Sequence, residues 1–157
     1  MITGTGLKVE LDIKNDVEYL VLNLEHFDRD KAIRSGLSSA VNIYKSGGKS
    51  RLRQRLMNHA KTSLGHNTGN LINSFKTRVY KAYPGALVGF YRGLGGGNHA
   101  HLVDRGTKRR RHPLTGTSGI MPANSFWTDT HDQDSSKAAD RLMAGVERAV
   151  NRINNRQ

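Results

Sequence analysis

Apolar and polar positions alternate strictly along residues 7–13, LKVELDI. Leu7, Val9, Leu11 and Ile13 share one side, and Lys8, Glu10 and Asp12 share the other. A period of two predicts a β-strand with one buried face. Residues 17–24 are apolar-rich but alternate less regularly, and read as a second strand or as the approach to a helix. Asp28 then stands as an N-cap. Beyond it Ile33, Leu37, Val41 and Tyr44 recur at steps of four, four and three, the stripe of an amphipathic helix. Gly47-Gly48 predicts a break or kink, since each glycine costs about 1 kcal/mol against alanine inside a helix. A second helix runs from Ser50 to His59 or Ala60. It has a narrow seam of Leu52, Leu56 and Ala60, with Arg51, Arg53 and Arg55 around it.

The pattern changes again after a polar turn. Thr68 reads as the cap of one short helical turn over Thr68-Gly69-Asn70-Leu71. Residues 75–81 and 86–92 form a predicted β-hairpin, with Pro84-Gly85 as its turn dipeptide. Residues 93–98, GLGGGN, are too glycine-rich for regular structure and read as a flexible connector. The C-terminal helix is predicted over residues 134–153, capped by Asp134 or Ser135. Ala138, Leu142, Val146, Val150 and Ile153 lie on its apolar stripe, and Arg148 and Arg152 suit the macrodipole at its end.

Between hairpin and last helix lie two segments around which the chain is organised: residues 100–107, AHLVDRGT, and residues 121–127, MPANSFW. Gly106 is free to take a positive φ and end a helical turn. Asp104 is placed to satisfy freed backbone donors at that turn. Thr107 follows, Pro122 restarts the chain, and Phe126 and Trp127 supply a large apolar anchor. The whole reads as a structural corner. The order of elements predicts a single α+β domain over residues 1–157. A small antiparallel sheet (N-terminal strand plus hairpin) packs against a long broken helix and a C-terminal helix.

Composition narrows the class. Only 36% of the 157 residues are apolar, a thin core for a lone globule and compatible with burial completed against copies of itself. With 25 Lys and Arg against 13 Asp and Glu, the net charge of +12 favours a polyanion or an acidic protein surface as partner. The chain has no cysteine, so disulfides and thiolate metal sites are excluded. No apolar run reaches the roughly 18–20 residues of a membrane span. The first residues lack the layout of a signal peptide, and the expectation is a soluble protein made in the cytoplasm.

Candidate chemistry is sparse. His99 and His101 with Asp104 come nearest to a metal site but supply too few ligands. No phosphate loop, dinucleotide fingerprint or nucleophile elbow occurs, and the carboxylates are scattered along the elements. The expectation is therefore no enzyme, cofactor or metal. Cations are the salient groups. Six lie between Lys45 and Lys61 with no acidic residue among them, and Lys108, Arg109, Arg110 and Arg111 open a basic loop over residues 108–120, expected to be flexible. Arg51, Arg53 and Arg55, with these four, are the candidate contacts to a protein partner or DNA.

The order of signals resembles a known family. A long helix is followed by Thr68-Gly69-Asn70-Leu71, a hairpin, His99-Ala100-His101-Leu102-Val103-Asp104-Arg105-Gly106-Thr107, a basic loop, Met121-Pro122-Ala123-Asn124-Ser125-Phe126 and a last helix. This resembles the tail-completion and head–tail joining proteins, the minor tail components of lambda Z type, of long-tailed bacteriophages. His99 stands in place of that family's usual tyrosine, Asp104 of its glutamate and Ser125 of its second proline. The resemblance implies a non-enzymatic virion protein, made in the host cytoplasm, that assembles as a homo-oligomeric ring of six at the head-proximal end of the tail. Its implied partners are other copies of itself, tail terminator or tail tube proteins, and neck or connector proteins. Non-specific contact with genomic DNA in the lumen is also implied, and contact with membrane is not. The alternatives are a related neck role, such as tail terminator or head-completion adaptor, and a basic nucleic-acid-binding protein.

Overall fold

The computed structural model describes residues 14–60, 69–91, 97–109, 111–112, 114, 116–117 and 120–156. The predicted strand at residues 7–13, the cap at Thr68, most of the connector at 93–98 and Arg110 lie outside them. In chain order the elements are helix α1 (Lys14–Val21), helix α2 (His26–Ala60), helix α3 (Asn70–Ser74), strands β1 (Phe75–Val79) and β2 (Ala86–Phe90), a 3-10 turn (Gly97–His99), helix α4 (Ala100–Arg105), strands β3 (Arg111–His112) and β4 (Gly116–Thr117), and helix α5 (Phe126–Asn154). The fold is α+β, with α2 and α5 packed antiparallel as its frame and β1 and β2 forming a two-stranded antiparallel sheet.

Three sequence expectations need correction. Residues 17–24 contain no strand among the described elements; they belong to α1 and the turn after it, with Val17 and Val21 one helical turn apart and both buried. Asp28 does not cap α2, which begins at His26 and carries Asp28 in its first turn. Within the basic loop, where nothing overturns the expectation, Arg111 pairs with Thr117 and His112 with Gly116. Finally, α2 is one continuous helix, unbroken at Gly47-Gly48. Its 35 residues span about 50 Å at 1.5 Å per residue.

The glycines in α2 admit close neighbours. A Cβ on Gly47 would lie 2.0 Å from Asp134 Oδ2, and one on Gly48 would lie 3.2 Å from the Phe75 ring. Farther along, a Cβ on Gly145 of α5 would come within 2.7 Å of Gly36 Cα, so the two helices touch backbone to backbone there. The loss in helix propensity is offset by these tertiary contacts.

Where α2, the hairpin and the start of α5 converge, aromatic rings form the centre of the core. Phe75 lies 4.7 Å from Phe90 and edge-on to Trp127 at 5.4 Å, and Phe90 meets Phe126 edge-on at 5.6 Å. Tyr44 of α2 completes the cluster beside Trp127. Its hydroxyl is buried and meets no hydrogen-bond partner among the described residues. Burial, and then the Asp134 carboxylate, push the phenol above its ordinary range.

Tyr44→Phe is expected to be neutral or stabilising by up to about 1 kcal/mol at neutral pH, because the lost hydroxyl leaves no partner unsatisfied. A raised folded-state value means that Tyr44 ionisation leaves stability untouched below about pH 10 and lowers it progressively as pH rises beyond, because the unfolded chain ionises first. Urea unfolding at neutral and strongly alkaline pH should therefore show a flatter alkaline decline in the variant. A neutral-pH loss well above 1 kcal/mol would show that the hydroxyl is bonded.

Candidate functional site

The corner is built around Asp104. It is the penultimate residue of α4, two residues before Gly106, whose φ of 73° is left-handed and whose hypothetical Cβ would sit 2.7 Å from both Ala123 N and Met121 O. No other residue type fits both the angle and the space. The chain leaves the corner, traverses the basic loop and returns alongside it. Thr107 N–H donates to the Met121 carbonyl at 2.9 Å, and Met121 N–H donates to Thr107 Oγ1 at 3.0 Å. The Asp104 carbonyl accepts from the N–H groups of Asn124 and Ser125. Its carboxylate reaches across 23 residues of sequence: Oδ1 accepts the Trp127 N–H at 2.7 Å, and Oδ2 accepts the Thr128 hydroxyl at 3.2 Å.

Asp104 thus serves the start of α5, where sequence reasoning had assigned it to its own turn. The residue at the N-cap position, Ser125, has a φ of 53° and makes no side-chain cap. Asp104 supplies from elsewhere the anionic acceptor that a first helical turn favours. Phe126 and Trp127 follow directly and are buried in the aromatic cluster, while Pro122 is exposed. His99 and His101 are exposed whereas Asp104 is buried with both oxygens engaged, so the three do not converge on one ion. Among the described residues, no group of three or more His, Cys, Asp and Glu side chains is placed to hold a metal.

The cations in the second half of α2, from Lys45 to Arg55, divide into two sets. Arg51 and Arg55, expected to meet an outside partner, face α5 instead. Arg51 bonds Asp134 through both nitrogens, at 2.5 and 3.2 Å, and also reaches Thr130 Oγ1 and Gln133 Oε1. The bond to Asp134 raises the Arg51 guanidinium above its ordinary value. Arg55 donates to the Asn124 carbonyl and to Asp129, fastening α2 to the corner. Asp134 is accordingly not a cap but an interior residue of α5, which starts eight residues earlier than its apolar periodicity announced.

The second set points away from α5. Lys45, Lys49 and Arg53 succeed one another at four-residue steps along α2, and exposed Lys76 of β1 joins them, while Arg78 lies over the Tyr80 ring. Partial burial, and then the charges of Lys45, Lys76 and Arg53, hold the Lys49 ammonium below the usual lysine range. Lys108 and Arg109 are exposed at the corner.

Two groups of exposed apolar side chains lie at opposite ends of α2. At its start Tyr19 is 80% and Phe27 74% exposed, with Leu22 exposed between them. The Arg29 guanidinium holds this turn by donating to the carbonyls of Leu22 and Leu24. At the far end Leu114, Ile120 and Met121 are exposed beside the corner. From Phe27 to Arg55, which touches the corner at Asn124, the helix rises about 40 Å.

Asp104→Ala should cost about 2–3 kcal/mol, from the lost cap and the orphaned Trp127 N–H, and Asp104→Asn should cost less because it keeps an acceptor. Thermal unfolding of the full chain measures both; equal losses would show that no acceptor is used. Arg51→Ala should cost on the order of 3 kcal/mol, since it leaves a poorly solvated Asp134 without its partner. A loss within about 0.5 kcal/mol, the range of an ordinary surface position, would place Arg51 outside the frame.

Comparison of the chain with protein-family models, curated proteins and solved structures returns no match.

Proposed function

We propose that the chain is a structural virion protein of a tailed phage, forming a ring at the head-proximal end of the tail and taking part in tail completion and head–tail joining. One structural observation supports this above the others: two unlike apolar patches are held about 40 Å apart on the same rigid frame. A ring closes through head-to-tail contacts between different surfaces of identical subunits. The Tyr19–Leu22–Phe27 turn and the Leu114–Ile120–Met121 edge are two such surfaces. The corner that resembles the family motif is built from backbone bonds and one engaged carboxylate. Such a structure holds a shape, and it leaves Asp104 no free oxygen for acid–base work. The exposed Lys108 and Arg109 at the corner then face the neck, the tail or DNA.

A second reading, a basic nucleic-acid-binding protein, is favoured by the cationic face formed by α2 and β1. Copy number and position in an assembled particle separate the two. Electron cryomicroscopy should place six copies per neck under the ring reading, and none under the other.

Two variants test the roles. Phe27→Asp should leave monomer stability within about 0.5 kcal/mol of wild type, as an exposed site does, yet abolish the ring seen by native mass spectrometry. The triple variant Arg109→Ala/Arg110→Ala/Arg111→Ala should fold normally but yield tails that fail to join filled heads. Normal infectious particles from the triple variant would remove the loop from the joining step.

A further inference from the structure

The cationic face of α2 and β1 is chemically unlike the two apolar ends. Lys45, Lys49 and Arg53 recur at the i, i+4, i+8 spacing that lines one side of a helix. Gly48 brings the first residue of β1, Phe75, against α2, and the charge of the neighbouring Lys76 acts on Lys49 of the helical row, whereas Arg78 lies over the Tyr80 ring at 5.6 Å. Across the sheet, Lys76 pairs with Gly89, where a Cβ would meet nothing within 4 Å, so that part of the face is open. Between the cations on α2 stand Ser46 and Ser50, both exposed. The acidic side chains nearest in α5, Asp129 and Asp134, are bonded to Arg55 and Arg51 on another side of α2.

We infer that Lys45, Lys49, Arg53 and Lys76 form a binding face for the phosphodiester backbone of duplex nucleic acid, read without sequence specificity. The composition of the face decides between a phosphate backbone and an acidic protein. A protein interface carries an apolar or aromatic centre from which water is excluded. At the centre of this face stand ammonium, guanidinium and hydroxyl groups, the donors that position proteins on phosphates, and the stacked Tyr80 and Tyr83 lie farther along the hairpin, beyond Arg78. The like charges crowded around Lys49, which lower its proton affinity, are relieved when phosphates replace water beside them. Within the ring reading, on which this part alone rests, the face lines the channel through which the genome passes. The binding itself requires no ring.

The test is fluorescence anisotropy of the full chain with a short duplex DNA of arbitrary sequence over a range of salt. Wild type should bind at low salt, with log K falling linearly against log salt at about 0.9 per phosphate contacted. Lys45→Gln/Lys49→Gln/Lys76→Gln should weaken binding by about tenfold or more and reduce that slope by about 2–3. Lys137→Gln/Arg141→Gln/Arg148→Gln, which removes the same charge from exposed positions of α5, should change it little. Equal weakening by both triple variants would mean that net charge and not this face binds, and would overturn the inference. So would absence of binding at low salt, or competition by polyglutamate as effective as by DNA. Duplex binding by a chain that never enters a particle would leave the face in place and remove the virion reading instead.

Discussion

One buried carboxylate determines where the last helix begins. Helix α5 starts at Phe126 without a side-chain cap of its own, on a serine held at positive φ, an arrangement a free chain would abandon. Asp104 makes it tenable by accepting the Trp127 N–H, while its own carbonyl accepts Asn124 and Ser125. Because Trp127 and Phe126 come immediately after, fixing the helix start also fixes two anchors of the aromatic cluster. The corner is therefore not an appendage to the core. It sets the register in which α5 meets α2, and that register brings Asp134 opposite Arg51 and Asp129 opposite Arg55.

The legible parts of the chain were those whose buried faces are apolar. The hairpin at β1 and β2, the stripe of Ile33, Leu37, Val41 and Tyr44, and the stripe from Ala138 to Ile153 all appear where periodicity places them. Illegible were the stretches where polar residues occupy the inward positions. Between Trp127 and Ala138 the positions of α5 that turn inward are Thr130 and Asp134, so the first turns carry no apolar stripe and read as loop. What satisfies them is Arg51, far away in sequence. Long-range polar pairing of this kind leaves no local pattern.

A related loss occurred at Gly47-Gly48. A break there discards the helical phase, and without phase the arginines of α2 are interchangeable charges. Carried through as one helix, the phase separates them: Arg51 stands seven residues after buried Tyr44 and Arg55 eleven, on the same side, while Lys45, Lys49 and Arg53 lie about a quarter-turn or more round. The residue types agree with this division. Guanidinium forks that engage two oxygens are used inside the frame, and the outer row is mainly lysine, a point charge on a flexible stem. Net charge alone says that something anionic is near; phase says which cations are already occupied by the protein's own carboxylates.

The same frame holds the two exposed apolar ends apart. Close backbone contact at Gly36 and Gly145 packs α2 against α5, and the Arg51–Asp134 pair ties them nearer the corner. Two antiparallel helices fastened at both places behave as a stiff rod, so a displacement at one end is carried to the other and not absorbed between. Stiffness matters to a ring because the angle between neighbouring subunits must be the same at every contact for the array to close. A hinge at Gly47-Gly48 would have made that angle variable. In the proposed ring, closure would depend on the continuity of α2 through its glycines, whose origin is the space that they leave for a carboxylate and an aromatic ring.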